Sequence, residues 1–397
     1  MHPELITLPG GYSVKTYGFC LMVGFLSAVW FAMRRATRVK ADPDIILDLS
    51  FLSLIFGVGG ARAFYVIHYW QTQFADSANK FLAVIDITKG GLEFLGGFLG
   101  ATAAAIIYAR VKKISIRLYL DIMAPGAMWG LAFGRVGCLF NGCCFGGTAV
   151  EAGTDHAAHA WAMRFPYGSA PHLHQWEDRL VTVPAELITV EKEGLLAYPV
   201  PETLFTMSVD RRERPRAEYF ALKNATERAE VGATADASSI QEAKAKLAGY
   251  ETTAKRHEAE LEPLRRAQQY PSPKHRERPM TVSELEDLAA NCSSLPIHPA
   301  QLYAAVDAIL LSAILSALFY VRKRHGLVIG VLFVLHPLSR AILETIRVDN
   351  PADVAGLTVS QFVSLGMFAA GVAAMFVLYK RLPERSPLLD PPPQPTR

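Results

Sequence analysis

Apolar residues collect in seven blocks with short polar connections, and one long polar interval separates the fourth block from the fifth. The blocks run at about 17–33, 46–68, 91–109, 117–134, 301–320, 326–346 and 359–379. A helix needs about 20 mostly apolar residues to cross a hydrocarbon layer about 30 Å thick, and each block approaches or exceeds that length. Lipid offers the backbone no hydrogen bonds, so a spanning block must satisfy its own as a helix. Two blocks, 117–134 and 326–346, are short or interrupted by Pro, Arg and Glu. The pattern predicts an all-α polytopic membrane protein: about seven transmembrane helices with a large extracytoplasmic insertion. Met1 to Lys15 lacks a basic stretch followed by an apolar one, so the first span is expected to be an uncleaved anchor.

Positive charge orients the spans. Arg34, Arg35, Arg38 and Lys40 follow the first, and Arg110, Lys112, Lys113 and Arg117 follow the third. Arg322, Lys323 and Arg324 separate the fifth and sixth, and Lys380 and Arg381 follow the seventh. These alternate loops fall on one side, expected to be the cytoplasm. The N-terminus and the polar interval are then outside, and the C-terminus is inside.

The expected organisation is a membrane domain at 1–147, an insertion at 148–297, a second membrane segment at 298–382 and a disordered cytoplasmic tail at 383–397. The insertion opens with aromatics and prolines, Trp161, Phe165, Pro166 and Tyr167. From about 211 to 290 it turns rich in Ala, Glu, Lys and Arg, which favours helix. Its apolar positions are sparse, so an amphipathic hairpin or a partly flexible segment is expected there. Thr281 with Glu284 reads as a capping box opening a short helix.

Composition narrows the function. Hydrophobic residues make up 51% of the 397, only 19% are charged, and the net charge is +3. The mean hydropathy is +0.20. No basic stripe with interleaved aromatics appears, so no nucleic-acid partner is expected. Five cysteines (Cys20, Cys138, Cys143, Cys144, Cys292) are too few for a disulfide scaffold. Cys138, Cys143, Cys144 and His298 depart from the usual zinc spacing, so neither a metal nor another cofactor is expected. In an oxidising exterior, a disulfide from Cys292 to one of the other three is the expectation.

The chemistry-bearing residues lie at the outer ends of spans. Arg135 sits at or just inside the end of the fourth block, within Gly134-Arg135-Val136-Gly137-Cys138 and before Asn141-Gly142 and Gly146. A guanidinium there either binds an anion such as a phosphate or snorkels to the headgroups. Arg62 is a second intramembrane cation, with a carboxylate on another span as its ordinary partner. Glu93 precedes Gly96 and Gly97. Arg340, Glu344 and Arg347 are spaced i, i+4 and i+7 and share one helix face. That ladder leaves one cation spare, and Arg62 and Arg135 add more, which calls for an anionic ligand such as a phospholipid headgroup. Gln301 and Tyr303 stand at the same outer level, as site residues or as interfacial anchors.

Gly134-Arg135-x-Gly137-x-x-x-Asn141-Gly142 resembles the signature of the prolipoprotein diacylglyceryl transferase family, with Cys138 and Cys143 at its commoner Asn and Glu positions. Tyr17-Gly18, Gly60-Ala61-Arg62-x-x-Tyr65, Gly96-Gly97, Trp161-x-x-x-Phe165-Pro166, His298-Pro299-x-Gln301-x-Tyr303 and Arg340-x-x-x-Glu344-x-x-Arg347 resemble further family elements, in order. Residues 170–296 carry no motif of the family, and Leu95 stands where its histidine would.

The resemblance implies transfer of the diacylglyceryl group of phosphatidylglycerol to the lipobox cysteine of prelipoproteins in a bacterial inner membrane. In this reading Arg135, Arg340 and Glu344 are assigned to the chemistry, and His336, where the family more often has Tyr, joins them by its spacing to Arg340. Tyr17, Arg62, Gly96, Gly97, Gly134, Asn141, Gly142, Gly146, Gln301 and Tyr303 are assigned to the phospholipid. His336 stands one turn before Arg340, either as thiol base or only as a hydrogen-bond partner of a neighbouring helix, with a phosphate oxygen or water as the other proton acceptors. A noncatalytic lipid-binding scaffold and an anionic-solute transporter are the competing readings.

Overall fold

The computed structural model describes residues 4–7, 13–74, 80–85, 91–151, 153–190, 197–206, 219, 221, 223, 237–269, 280–349 and 356–381. The chain divides into two compact units. One comprises 147–298 together with Met1, and the other 2–146 and 299–397. The tail at 383–397 and most of 207–236 lie outside the described residues.

The second unit opens with a small antiparallel hairpin, β1 (Glu4–Thr7) and β2 (Ser13–Lys15). It continues through α1 (Thr16–Arg38) and α2 (Pro43–His68), then a short helix, α3 (Lys80–Ile85). Next come α4 (Phe94–Val111) and α5 (Ile116–Asn141). Among the described residues six helices, α4 not among them, are long and apolar enough to cross a membrane, and α4 contributes a shorter apolar stretch at Leu95–Val111. The expected count of seven therefore becomes six long spans and one short one. The difference arises at the glycine-rich start of that block, where 91–93 stay outside the helix.

Glycines determine which helices meet. A Cβ on Gly60 would lie 2.5 Å from the Gly96 carbonyl oxygen, and one on Gly96 2.4 Å from that of Gly60. The α2 and α4 backbones thus touch directly, as small residues allow. Likewise α1 meets α5: a Cβ on Gly24 would lie 2.7 Å from Phe133 Cβ, and one on Gly137 2.9 Å from the Tyr17 ring.

The insertion folds as its own unit. It contains α6 (Ala170–Glu177), the hairpin β3 (Ile188–Val190) and β4 (Ala197–Pro199), and α7 (Glu202–Thr206). After these come α8 (Ala237–Gln269) and α9 (Val282–Ala290). Its two ends are tied together by reciprocal bonds between Met163 and Ile297 at 3.1 and 2.9 Å and by Ser294 N–H donating to Phe165 O at 2.8 Å. The core gathers Tyr167, Leu187, Val200, Leu204, Leu261, Leu264 and Leu285. Tyr167 donates to Val200 O at 2.9 Å. The described part of 211–290 is helical: Tyr219, Ala221 and Lys223, the long α8 and the short α9. Leu261, Leu264 and Ala267 are spaced by three, and that short stripe is enough to bury the C-terminal part of α8. The capping box at Thr281 and Glu284 is present, with both reciprocal bonds made.

The second unit resumes with α10 (Ala300–Val321), α11 (Leu327–Glu344) and α12 (Val359–Arg381). The basic loops gather at one end of these helices. Arg35 bonds Ser316 at 2.8 Å, Arg38 bonds Tyr320 at 3.1 Å, and Arg324 bonds Leu378 O at 3.4 Å. At that end Asp121 is fully buried, accepting from Gly326 N–H at 2.8 Å and Ile329 N–H at 3.0 Å. Arg322 Nε pairs with it at 3.0 Å. This carboxylate joins α5 to the first turn of α11, where free N–H groups favour an anion.

Candidate active site

The opposite end of the membrane-spanning unit collects the residues that the sequence marks out. Helix α5 runs on to Asn141, so Arg135 lies within the helix instead of at its end. Gly134 and Gly137 are helical because each faces α1 closely, and the first left-handed glycine is Gly142, with φ 74°. The glycines of this stretch therefore serve packing first and the turn second.

Helix α11 ends at Glu344, and Arg347 lies just beyond it, its N–H donating to Glu344 O at 3.2 Å. The expected ladder forms with that change. Glu344 is buried, and Arg340 Nη1 contacts its Oε2 in an i, i+4 pair. Arg347 Nη1 reaches the same oxygen at 3.3 Å, and Thr358 Oγ1 donates to Oε1 at 3.2 Å. Arg347 also forms a fork with Asp349, at 2.9 and 3.0 Å. Gly146 pairs with Arg347 through a backbone bridge, which holds the chain after α5 beside the end of α11.

Arg135 differs from these. It is half-buried, and among the described residues it makes no hydrogen bond or ion pair. It lies within electrostatic range of Tyr17, Arg340 and His336. A guanidinium left unpaired at this depth and beside a second one is an anion receptor in chemical terms.

His336 is half-buried, and its Nδ1 makes no hydrogen bond among the described residues. Asp307 of α10 acts on it electrostatically and accepts from Ser339 at 2.8 Å, while Ser339 also donates to His336 O at 3.1 Å. The sequence reading passed over Asp307, although a lone aspartate in an apolar span was a signal in itself. Gln301 is buried at the start of α10 and donates to Cys143 O at 2.8 Å.

Other expected site residues are placed elsewhere or have other tasks. Arg62 donates to the carbonyls of Ala83, Val84 and Gly91 at 2.7, 2.8 and 2.9 Å, tying α2 to α3 and to the start of the α4 segment. Glu93 pairs with His68 at 2.7 Å, not with an arginine. Gly96 and Gly97 face α2, and Leu95 beside them is half-exposed. Asn141 is exposed at the end of α5, and Tyr303 is half-buried in the first turn of α10. All five cysteines are free thiols.

The family described as prolipoprotein diacylglyceryl transferase matches residues 3–222 and 245–377. The match enters the insertion from both sides, so 170–296 is less foreign to the family than its lack of motifs implied. A Rhodopirellula baltica protein described as phosphatidylglycerol--prolipoprotein diacylglyceryl transferase is 28% identical over 403 residues, covering 94% of this chain and 74% of its own. One from Geobacter sulfurreducens with the same description is 31% identical over 213 residues, covering 53% and 72%. One from Clostridium perfringens, numbered 1, is 34% identical over 151 residues, covering 38% and 55%. This chain belongs to the prolipoprotein diacylglyceryl transferase family.

Proposed function

We propose that this chain transfers the diacylglyceryl group of phosphatidylglycerol to the lipobox cysteine thiol of prelipoproteins in the bacterial inner membrane. The observation that carries the reading is Arg135, a half-buried cation with no partner among the described residues, beside the Arg340–Glu344–Arg347 ladder. The relatives' descriptions, which name phosphatidylglycerol and prolipoprotein, support it.

In this reading Arg135 and Arg340 hold the lipid phosphate, and Glu344 orients Arg340. Tyr17, Gly142, Gly146, Gln301 and Tyr303 shape the headgroup pocket. The substrate thiol, of pKa about 8.5 in the free state, gives its proton to His336. Asp307 positions that imidazole and offsets the charge it gains. The sulfur pair forms a C–S bond to the glyceryl carbon as the C–O bond to phosphate breaks. The bonding electrons leave on the phosphate oxygen, and glycerol phosphate departs while the guanidinium pair stabilises its charge. With the basic loops taken as cytoplasmic by the positive-inside rule, this reading has the N-terminus and the site outside.

The test uses the full chain in phosphatidylglycerol vesicles with a lipobox peptide, followed by mass spectrometry. Arg135→Ala and Arg340→Ala should each lower thioether formation by about 10² to 10³. Lysine should rescue poorly, because a point charge does not reproduce the guanidinium fork. Near-normal rates in either alanine variant would remove the clamp. No thioether from the wild-type chain would leave the noncatalytic lipid-binding scaffold standing.

A further inference from the structure

Three thiols stand together at the end of α5. The Sγ atoms of Cys138, Cys143 and Cys144 all lie within 4.8 Å of one another, and none is in a disulfide. The helix terminus itself assembles the first two. Gly142 N–H donates to Leu139 O and Cys143 N–H to Cys138 O, both at 3.2 Å. This is the Schellman arrangement, which sets the third residue from the helix end against the second one beyond it. Here those two positions are Cys138 and Cys143. Cys144 then adopts φ 61°, a left-handed conformation uncommon for any residue but glycine, and its thiol joins the pair. The bond from Gln301 to Cys143 O, and the bridge between Gly146 and Arg347, fix the chain on either side.

We propose that Cys138, Cys143 and Cys144 form a three-thiolate site for a soft, thiophilic metal ion of the Cu(I) class. Soft sulfur donors select such ions over hard ones. A trigonal ion with metal–sulfur bonds of about 2.3 Å, as in zinc thiolates, places its sulfurs about 4 Å apart. The observed spread needs less than about 1 Å of adjustment to reach that geometry. Among the described residues the cluster holds no fourth donor, which suits a three-coordinate ion better than tetrahedral zinc. Arg135 and Arg347 lie within electrostatic range of Cys144 and offset the thiolate charge. The spacing i, i+5, i+6 escapes the usual zinc patterns because a helix cap, not a zinc-finger turn, brings the sulfurs together.

The test is an anaerobic titration of the reduced, detergent-solubilised full chain with Cu(I), using bathocuproine disulfonate as competing chelator. This readout needs no transferase activity, so its failure is separate from failure of the transfer reading. Wild type and Cys20→Ser/Cys292→Ser should each withdraw one Cu(I) per chain, with three sulfur neighbours by X-ray absorption. Cys143→Ser and Cys144→Ser should each lose that uptake, so the result does not depend on the triple variant folding. Uptake unchanged in both single variants would overturn the site. Uptake of Zn(II) but not Cu(I) would overturn the assigned class. A Cys138–Cys143 disulfide in protein from membranes, with no Cu(I) uptake after reduction, would overturn the proposal in favour of a redox pair.

Discussion

At the residue scale, two histidines show how burial and partners set different roles. His336 has a free Nδ1 and lies within electrostatic range of Asp307, Arg135 and Arg340. His336→Gln should lower lipidation by roughly 10² or more, and Asp307→Asn should lower it less, both read as initial rates across pH. Leu95→His should not rescue His336→Gln, because Leu95 is half-exposed on α4 while its neighbours Gly96 and Gly97 face α2. An unchanged pH–rate profile in His336→Gln would leave the thiol to be deprotonated by substrate or water.

His172 is the other case. It is buried against the Tyr167 ring, with centroids 5.2 Å apart, and burial pushes its imidazole below its ordinary value. The unfolded chain binds the proton more readily, so folding stability falls as pH drops below about 6.5 and keeps falling to the folded-state value. His172→Leu should flatten that part of the melting-temperature profile between pH 5 and 7. Equal slopes in both proteins would assign the pH response to other groups.

At the element scale, the spans were legible because each had to be a continuous apolar helix. Their ends were less so. The sequence ended the fourth span at about 134, with Arg135 at or just inside that end, since glycine reads as a breaker until the neighbour that needs its bare backbone is known. Gly134 and Gly137 stay helical against Leu21 and Tyr17, and only Gly142 turns the chain. The α2–α4 contact rests on the same device. Gly60→Val would drive its side chain into the Gly96 carbonyl, for which no flexible atom can give way. We expect overpacking of at least 1 to 3 kcal/mol and loss of monodisperse protein in detergent, with Gly59→Val as a control because a Cβ there meets nothing within 4 Å. A Gly60→Val variant as stable as that control would show that the two helices separate at little cost.

At the scale of the whole molecule, the two units carry different kinds of information. The membrane-spanning unit could be read from charge. Its basic loops mark one end, and Arg135, a cation without an ion-pair partner among the described residues, marks the candidate site at the other. Asp121 and Asp307 were missed because a single acid in an apolar run was weighed less than the arginine-bearing motifs.

The inserted unit was harder to read, since a soluble core needs few apolar positions once distant segments supply the rest. Leu261 and Leu264 of α8 are nearly fully buried, although their helix is polar over most of its length. The partners that bury them, Tyr167, Leu187, Val200 and Leu204, lie far away in sequence. This changes what removal of the charged segment should do. Replacing 211–285 by a short Gly/Ser linker would delete all of α8 and the capping box of α9, stripping Leu261, Leu264, Met280 and Leu285 from the core. Each such loss costs about 2 to 5 kcal/mol when made as a truncation to alanine, comparable with a whole domain's stability. Limited proteolysis of the purified variant should therefore cut rapidly between 147 and 210, where the wild type resists. A variant with the same protease-resistant fragment there would mean that the segment carrying Tyr167, Leu187 and Val200 folds without α8 and that 211–285 is a dispensable appendage of that fold.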